Sequence, residues 1–183
     1  MKTVLIVEDE KMIRQGIKTM IMRSGVPIET IMECNNGETA LEILKEQEID
    51  VMFTDIRMPK MDGIELVQKM QSLEHIPLTV AISGYDDFAY AVEMLRNGVR
   101  EYILKPIERE KITEILKKLN AEIESRKEKE ENNQKIGYQQ MRHLMLSDEI
   151  SGEEQRTIES QYADHFYTGN YYVCCQNQVR SEE

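Results

Sequence analysis

Residues 51–63 of the chain read VMFTDIRMPKMDG. The strand-forming run at residues 51–54 ends in a carboxylate, Asp55, and the residues that follow carry no helical pattern of apolar side chains. In an open parallel α/β sheet, ligands bind outside the carboxyl ends of the strands. This stretch therefore predicts a strand that places a carboxylate at the binding edge of a sheet.

The alternation of strand and helix continues in both directions from this stretch. Strand-like runs recur at residues 3–7, 28–34, 78–83 and 102–104, and segments with apolar residues at spacings of three and four separate them. Strand followed by helix, five times, predicts an α/β fold with a parallel sheet covered by helices on both faces. The charged run at 28–34 suits an edge strand, whereas continuously apolar runs suit central ones.

Composition excludes several classes of protein. The chain has 183 residues, 34 acidic and 23 basic, and a net charge of −11, which argues against binding DNA through a broad basic surface. No apolar run approaches the ~20 residues of a membrane helix, and the apolar start is too short for a secretory signal. The three cysteines, Cys34, Cys174 and Cys175, have neither zinc-ligand spacing nor the pattern of a disulfide framework. We expect a reduced cytoplasmic protein without membrane contact.

The pattern changes after about residue 110, and we expect three regions: one domain over residues 1–120, a charged helical linker over 121–135, and the incomplete start of a further domain over 136–183. The last region contains a strand-like run at residues 171–175. A short coiled coil between two copies is the alternative to the linker, and its apolar register is too short to decide. That register consists of Ile112, Leu116, Leu119 and Ile123.

Polar and charged residues follow the predicted strands at their carboxyl ends. In chain order they are Glu8, Asp9, Glu10, Asp55, Ser83 and Lys105. Carboxylates that are brought together repel each other unless a cation neutralises them, and Mg²⁺ prefers such oxygen ligands. With a metal bound, a carboxylate can attack a phosphoryl group while Lys105 and Ser83 share the charge on its oxygens. The competing interpretation, that these acids only begin helices, fits Glu10 but does not explain Asp55 or the lysine.

These segments resemble the receiver domain of two-component response regulators over about residues 1–120. The resemblance rests on Glu8-Asp9, residues 55–63, Ser83-Gly84 and Lys105-Pro106, which occur in order and at the right separations. It implies a doubly wound, flavodoxin-like sheet of five parallel strands in the order 2-1-3-4-5, and a phosphoacceptor module rather than an enzyme. Gly63 is expected to permit a tight turn at the start of the third helix.

The resemblance also implies a role for each site residue. Asp55 is the phosphoacceptor, and Lys105, preceding a cis bond to Pro106, pairs with the phosphate. Ser83 is the switch hydroxyl and Tyr102 the aromatic residue that changes rotamer with it. Four groups are expected to hold Mg²⁺: the side chains of Glu8, Asp9 and Asp55 and the backbone carbonyl of Arg57.

Residues 85–91, YDDFAYA, and the long helical linker resemble receivers whose output is an AraC-type helix-turn-helix pair. The implied partner is a sensor histidine kinase, and the implied active form is a phosphorylation-dependent homodimer formed by the fourth helix, fifth strand and fifth helix. Residues 121–183 hold 13 acids and 7 bases, a net charge of −6, which is the wrong sign for contact with DNA. We therefore expect DNA binding only through an output domain that is not present in this chain.

Three alternatives compete with this interpretation, and the sequence argues against the second and third. A receiver can act through protein–protein contacts without binding DNA. A phosphatase with an aspartyl nucleophile would carry a second aspartate where Arg57 stands. A flavin-binding module of the same topology would need a phosphate-binding loop where Glu8-Asp9-Glu10 stands.

Overall fold

The computed structural model describes residues 1–84 and 88–146. The chain divides into two compact units, Met1–Lys127 and Glu128–Glu183, and the sheet lies in the first. The strand predicted at residues 171–175 lies outside the described residues. The elements are β1 (Thr3–Val7), α1 (Lys11–Met22), β2 (Thr30–Cys34), α2 (Gly37–Glu46), β3 (Val51–Asp55), α3 (Gly63–Met70), β4 (Leu78–Ser83), α4 (Phe88–Arg96), β5 (Glu101–Leu104) and α5 (Arg109–Leu146).

The five strands form one parallel sheet in the order β2-β1-β3-β4-β5, which confirms the predicted fold and strand order. β2 lies at an edge, as its charges predicted, and only Cys34 of this strand is fully buried. The inner strands β3 and β4 are buried along their whole length, as strands covered on both faces must be.

Side chains alternate along the strands and build a core on each face of the sheet. On one face, Leu5 and Met52 pack under α2, α3 and α4. On the other face, Ile6 and Phe53 pack under α1 and α5. Residues near the carboxyl ends of β1 and β3 belong to both cores, so these strand ends are packed on both faces of the sheet.

The apolar stripe of α5 belongs to the second of these cores. Its buried residues are Ile112, Ile115, Leu116, Leu119 and Ile123. Because these side chains pack against the sheet, they are not available for a coiled coil between two copies. The helix continues through residues 121–135, and the bounds of the predicted linker stay a prediction. Among the described helices, none is both long and apolar enough to cross a membrane.

The loop between β3 and α3 is shaped by a close approach of two backbone segments. Asp62 caps α3 by accepting a hydrogen bond from the Glu65 amide at 2.8 Å, and the Gly63 amide donates to the Ile56 carbonyl at 2.8 Å. A Cβ on Gly63 would lie 2.2 Å from the Asp55 carbonyl oxygen. The left-handed residue of this loop is Lys60, with φ 73°. Gly63, at the predicted turn into α3, is therefore required because a side chain there would collide with the Asp55 backbone.

Replacing Gly63 with alanine is expected to lower the free energy of unfolding by about 1–3 kcal/mol, because the added Cβ must push the Asp55 backbone away. Gly16→Ala is the matched control, since a Cβ there meets nothing within 4 Å and alanine is favoured inside α1 by about 1 kcal/mol. Urea denaturation followed by circular dichroism measures both. Equal midpoints for Gly63→Ala and the wild-type chain would contradict the close approach.

Candidate functional site

The parallel strands place their carboxyl ends at one edge of the sheet. β1 and β3 are neighbours, and Val7 pairs with Thr54, so the residues that follow, Glu8 and Asp55, stand side by side. This edge carries a cleft with a volume of about 240 Å³. The cleft is lined by Asp9, Glu10, Asp55, Arg57, Ser83, Gly84 and Lys105.

Three carboxylates meet at this edge. One side-chain oxygen from each of Glu8, Asp9 and Asp55 lies within 4.8 Å of the other two. Glu8 is fully buried and Asp55 is 6% exposed, whereas Asp9 faces solvent. Like charges at this separation repel, and burial strengthens the repulsion because little water screens it. The donor set and its spacing suit a hard divalent cation such as Mg²⁺.

Lys105 reaches into this cluster from the end of β5. Its Nζ donates to Glu8 Oε2 at 2.9 Å and to Asp55 Oδ2 at 3.1 Å. Burial lowers the pKa of Lys105, but the hydrogen bonds with Glu8 and Asp55 outweigh it, and the pKa is raised overall. The ammonium group therefore stays charged and partly neutralises the cluster. The Lys105–Pro106 peptide bond is cis, as the sequence predicted.

Glu8 is the carboxylate of the cluster whose ionisation is unfavourable in the folded protein. Burial raises the pKa of its carboxyl group, the hydrogen bond from Lys105 lowers it, and the charge of Asp55 raises it again. The net pKa lies above the ordinary value of 4.5, so the fold disfavours the ionised form of Glu8 relative to the unfolded chain.

The two carboxylate oxygens of Asp55 are held by different donors. Oδ1 accepts a hydrogen bond from the Ile56 amide at 2.8 Å, and Oδ2 accepts from Lys105. This arrangement fixes the side chain at the floor of the cleft, between β1 and β4.

The two residues with predicted switch roles lie on the neighbouring strands. Ser83, which is 2% exposed, ends β4 and lines the cleft, and its carbonyl accepts a hydrogen bond from the Lys105 amide at 2.7 Å. Tyr102 is half-buried on β5 beside Ala81 and packs against the core under α4. It lies outside the set of residues that line the cleft.

Sequence reasoning did not identify Arg14 or Tyr90. The guanidinium of Arg14 donates to the Glu8 carbonyl at 2.6 Å, and Arg57 Nη2 donates to the Tyr90 hydroxyl at 3.1 Å. The guanidinium carbon of Arg57 also lies 5.5 Å from the centre of the Tyr90 ring. For Arg14 a signal existed, because side chains near the start of a helix point back towards the preceding loop. The contact with Tyr90 joins segments 33 residues apart and has no such local signal.

Comparisons with known proteins identify the family of this domain. The family model for the response regulator receiver domain matches residues 4–117. The uncharacterized transcriptional regulatory protein YesN of Bacillus subtilis is 31% identical over 123 residues, which are 67% of this chain and 33% of that protein. The chain thus spans less than half the length of these curated relatives.

Two solved structures resemble the fold closely. The REC domain of AraT, a response regulator from Geobacillus stearothermophilus, is 34% identical, with a TM-score of 0.60 over 68% of this chain and 97% of that one. A two-component transcriptional regulator AraC from Clostridium phytofermentans is 32% identical, with a TM-score of 0.61 over 70% of this chain and 99% of that one. With its strand order, its edge of three carboxylates and its lysine, residues 4–117 of this chain belong to the response regulator receiver domain family.

Proposed function

We propose that this receiver accepts a phosphoryl group on Asp55 from a sensor histidine kinase in the cytoplasm, with Mg²⁺ bound beside it. The observation that carries the proposal is the meeting of Asp55 with a lysine and two further carboxylates at one edge of the sheet. A receiver is a signalling module, and this arrangement supplies what phosphoryl transfer to a carboxylate needs: a nucleophile, a place for a cation, and a fixed positive charge.

The residues present fit a magnesium ion. Glu8, Asp9 and Asp55 offer carboxylate oxygens within 4.8 Å of one another, and the backbone carbonyl of Arg57, at the rim of the cleft, is the fourth proposed ligand. When bound, Mg²⁺ supplies charge stabilisation for the phosphoryl oxygens. The open side of the cleft leaves room for water and phosphate, as Mg²⁺ sites usually do.

In the proposed transfer, an oxygen of Asp55 forms a P–O bond as the P–N bond of the donor phosphohistidine breaks, and the imidazole leaves with the electron pair. Lys105 then holds a phosphoryl oxygen with the ammonium that now contacts Asp55. Ser83, at the end of the adjacent strand, provides the hydroxyl that moves towards the new phosphate. The aspartyl phosphate adds negative charge and acceptor oxygens at an edge that is already negative. The Lys105 ammonium and the Ser83 hydroxyl are the donors that stabilise this added charge.

The signal is proposed to reach α4, β5 and α5. Ser83 and Tyr102 are the proposed switch residues, and Tyr102 packs against the core under α4. The contact of Arg57 with Tyr90 ties α4 directly to the loop that follows Asp55. Pairing of two copies through this face is the proposed active form.

Transcription is the proposed output, through an AraC-type DNA-binding domain outside this chain. The support comes from similar proteins that are transcriptional regulators, one of them an AraC regulator. The chain also matches less than half the length of the curated relatives. Action through protein–protein contacts alone is the second candidate, because the residues after 120 carry a net negative charge.

Incubation with acetyl phosphate and Mg²⁺ is expected to add one phosphoryl group to the wild-type chain and none to Asp55→Asn, because the amide is not a nucleophile for phosphorus. Asp62→Asn is the matched control, since asparagine caps a helix as well as aspartate does and the fold is preserved. Intact-mass spectrometry measures the labelling. Equal labelling of Asp55→Asn and the wild-type chain would exclude Asp55 as the acceptor.

The raised pKa of Glu8 predicts a pH-dependent effect of Glu8→Gln on the metal-free protein. The folded state binds the Glu8 proton more tightly than the unfolded state, so stability is lost as pH rises from 4.5 through the raised folded pKa. Glutamine mimics the protonated form and avoids this loss. Glu8→Gln is therefore expected to be more stable than the wild type at pH 7, with the difference vanishing below pH 4.5.

Urea denaturation at the two pH values, in the presence of a chelator, measures this difference. Glu10→Gln serves as the control, because Glu10 is exposed and is not a member of the cluster. A Glu8→Gln variant less stable than the wild type at pH 7 would show that the ionised carboxylate stabilises the fold.

Beryllofluoride with Mg²⁺, which mimics the aspartyl phosphate, is expected to shift the chain from monomer to dimer in size-exclusion chromatography with light scattering. Leu95→Asp is expected to abolish the shift, because Leu95 is 53% exposed and lies about 200° round α4 from Glu93, which contacts Gln68 of α3. Met22→Asp is the control, since Met22 is 68% exposed on α1. An unchanged elution volume for the wild type would contradict phosphorylation-dependent pairing.

A further inference from the structure

Arg14, in the first turn of α1, contacts the backbone of the acidic pair Glu8-Asp9. Its Nη1 donates to the Glu8 carbonyl at 2.6 Å and lies 3.4 Å from the Asp9 carbonyl, within hydrogen-bond reach. These two residues contribute two of the three clustered carboxylates. The guanidinium therefore holds the main chain of the β1–α1 loop, while the carboxylates of the same two residues meet Asp55.

The other side of the guanidinium is anchored to β2. Arg14 Nε lies 3.5 Å from Glu33 Oε2, and the two side chains are 15% and 19% exposed. Glu33 also accepts hydrogen bonds from Lys18 and Gln15, so its carboxylate is fixed by three donors from α1. The loop, the helix and the edge strand are thus joined through one side chain.

Charge neutralisation alone does not account for this arrangement. Lys18 already neutralises Glu33, so that carboxylate does not need Arg14 as a counter-charge. What distinguishes Arg14 is its reach to the two carbonyls, which a fork of several N–H donors makes possible. The Glu8 amide is held separately by the Cys34 carbonyl at 3.2 Å, so the main chain at Glu8 is fixed through both its N–H and its C=O groups.

We propose that Arg14 is a positioning residue for the cation site, which sets the loop so that the Glu8 and Asp9 carboxylates converge on Asp55. This inference rests on the proposed binding of Mg²⁺. Because Mg²⁺ demands nearly ideal octahedral geometry, a small displacement of the loop weakens binding. Residues that orient metal ligands typically contribute about 10–100-fold to metal affinity.

The test is a calorimetric titration of the chain with Mg²⁺ alone. Arg14→Gln is expected to weaken Mg²⁺ binding by about 10-fold or more, and Arg14→Lys, which keeps the charge and one donor, by less. Lys18→Gln is the matched control: it removes a positive charge from the same Glu33 without touching the loop. Removing a nearby cation favours Mg²⁺ electrostatically, so Lys18→Gln is expected to leave the affinity unchanged or slightly higher.

The two variants therefore move in different directions if Arg14 positions the ligands. An Arg14→Gln affinity equal to that of Lys18→Gln would overturn the proposal. Urea denaturation without metal shows whether either variant is merely less stable, since a general loss of stability does not change Mg²⁺ affinity while the chain is folded.

A wild-type chain that does not bind Mg²⁺ would refute the proposed function, and the positioning role would then be decided by hydrogen exchange. Amides in the peptide covering residues 8–12 are expected to exchange faster in Arg14→Gln than in Lys18→Gln, because the loop loses its donors. Equal exchange in the two variants would overturn the positioning role independently of any metal.

Discussion

The repulsion among three carboxylates at the ends of two adjacent strands is the constraint on which this receiver depends. Glu8 and Asp55 are brought together by the pairing of β1 with β3, and Glu8 has no exposed surface. Lys105 compensates from the end of β5, so its side chain must reach past the end of β4. At the end of β4, the Lys105 amide donates a hydrogen bond to the Ser83 carbonyl. The strand order is therefore what lets a lysine, a hydroxyl and the acids share one small cleft.

The fold tolerates the repulsion among the carboxylates because the strands that carry them are packed against apolar cores. Two apolar cores hold β1 and β3 from both faces, and the backbone at Asp55 closely approaches Gly63. A buried carboxylate with a raised pKa is unfavourable for stability, and such costs are commonly kept at functional sites. A bound cation would remove the repulsion, so the same feature that destabilises the metal-free fold favours metal binding.

The sequence predicted the sheet and the convergence of acids because both follow from local patterns. Short, continuously apolar runs mark strands that are buried on both faces, and a residue at the carboxyl end of a parallel strand lies at the binding edge of the sheet. For Gly63 the sequence predicted a tight turn but not the close approach to the Asp55 backbone, because that contact joins positions eight residues apart. The apolar register of α5 was ambiguous in sequence, because the same spacing serves a core and a coiled coil. Neither Arg14 nor Tyr90 was assigned a contact. The position of Arg14 near the start of α1 was a signal that was not used, whereas the partner of Tyr90 is a distant side chain that no spacing specifies.

The attachment of α4 differs from that of the other helices and bears on how a change at Asp55 could spread. Of its described side chains, only Met94 is fully buried. The helix is instead tied along one side by polar contacts: Tyr90 to Arg57, Glu93 to Gln68, and the Asn97 carbonyl, just past its end, to Gln71. Exposed hydrogen bonds of this kind exchange readily with water, so moving the helix costs less than moving one held by a buried stripe. Because one of these ties begins two residues after Asp55, a rearrangement of the site reaches α4 without crossing the packed cores.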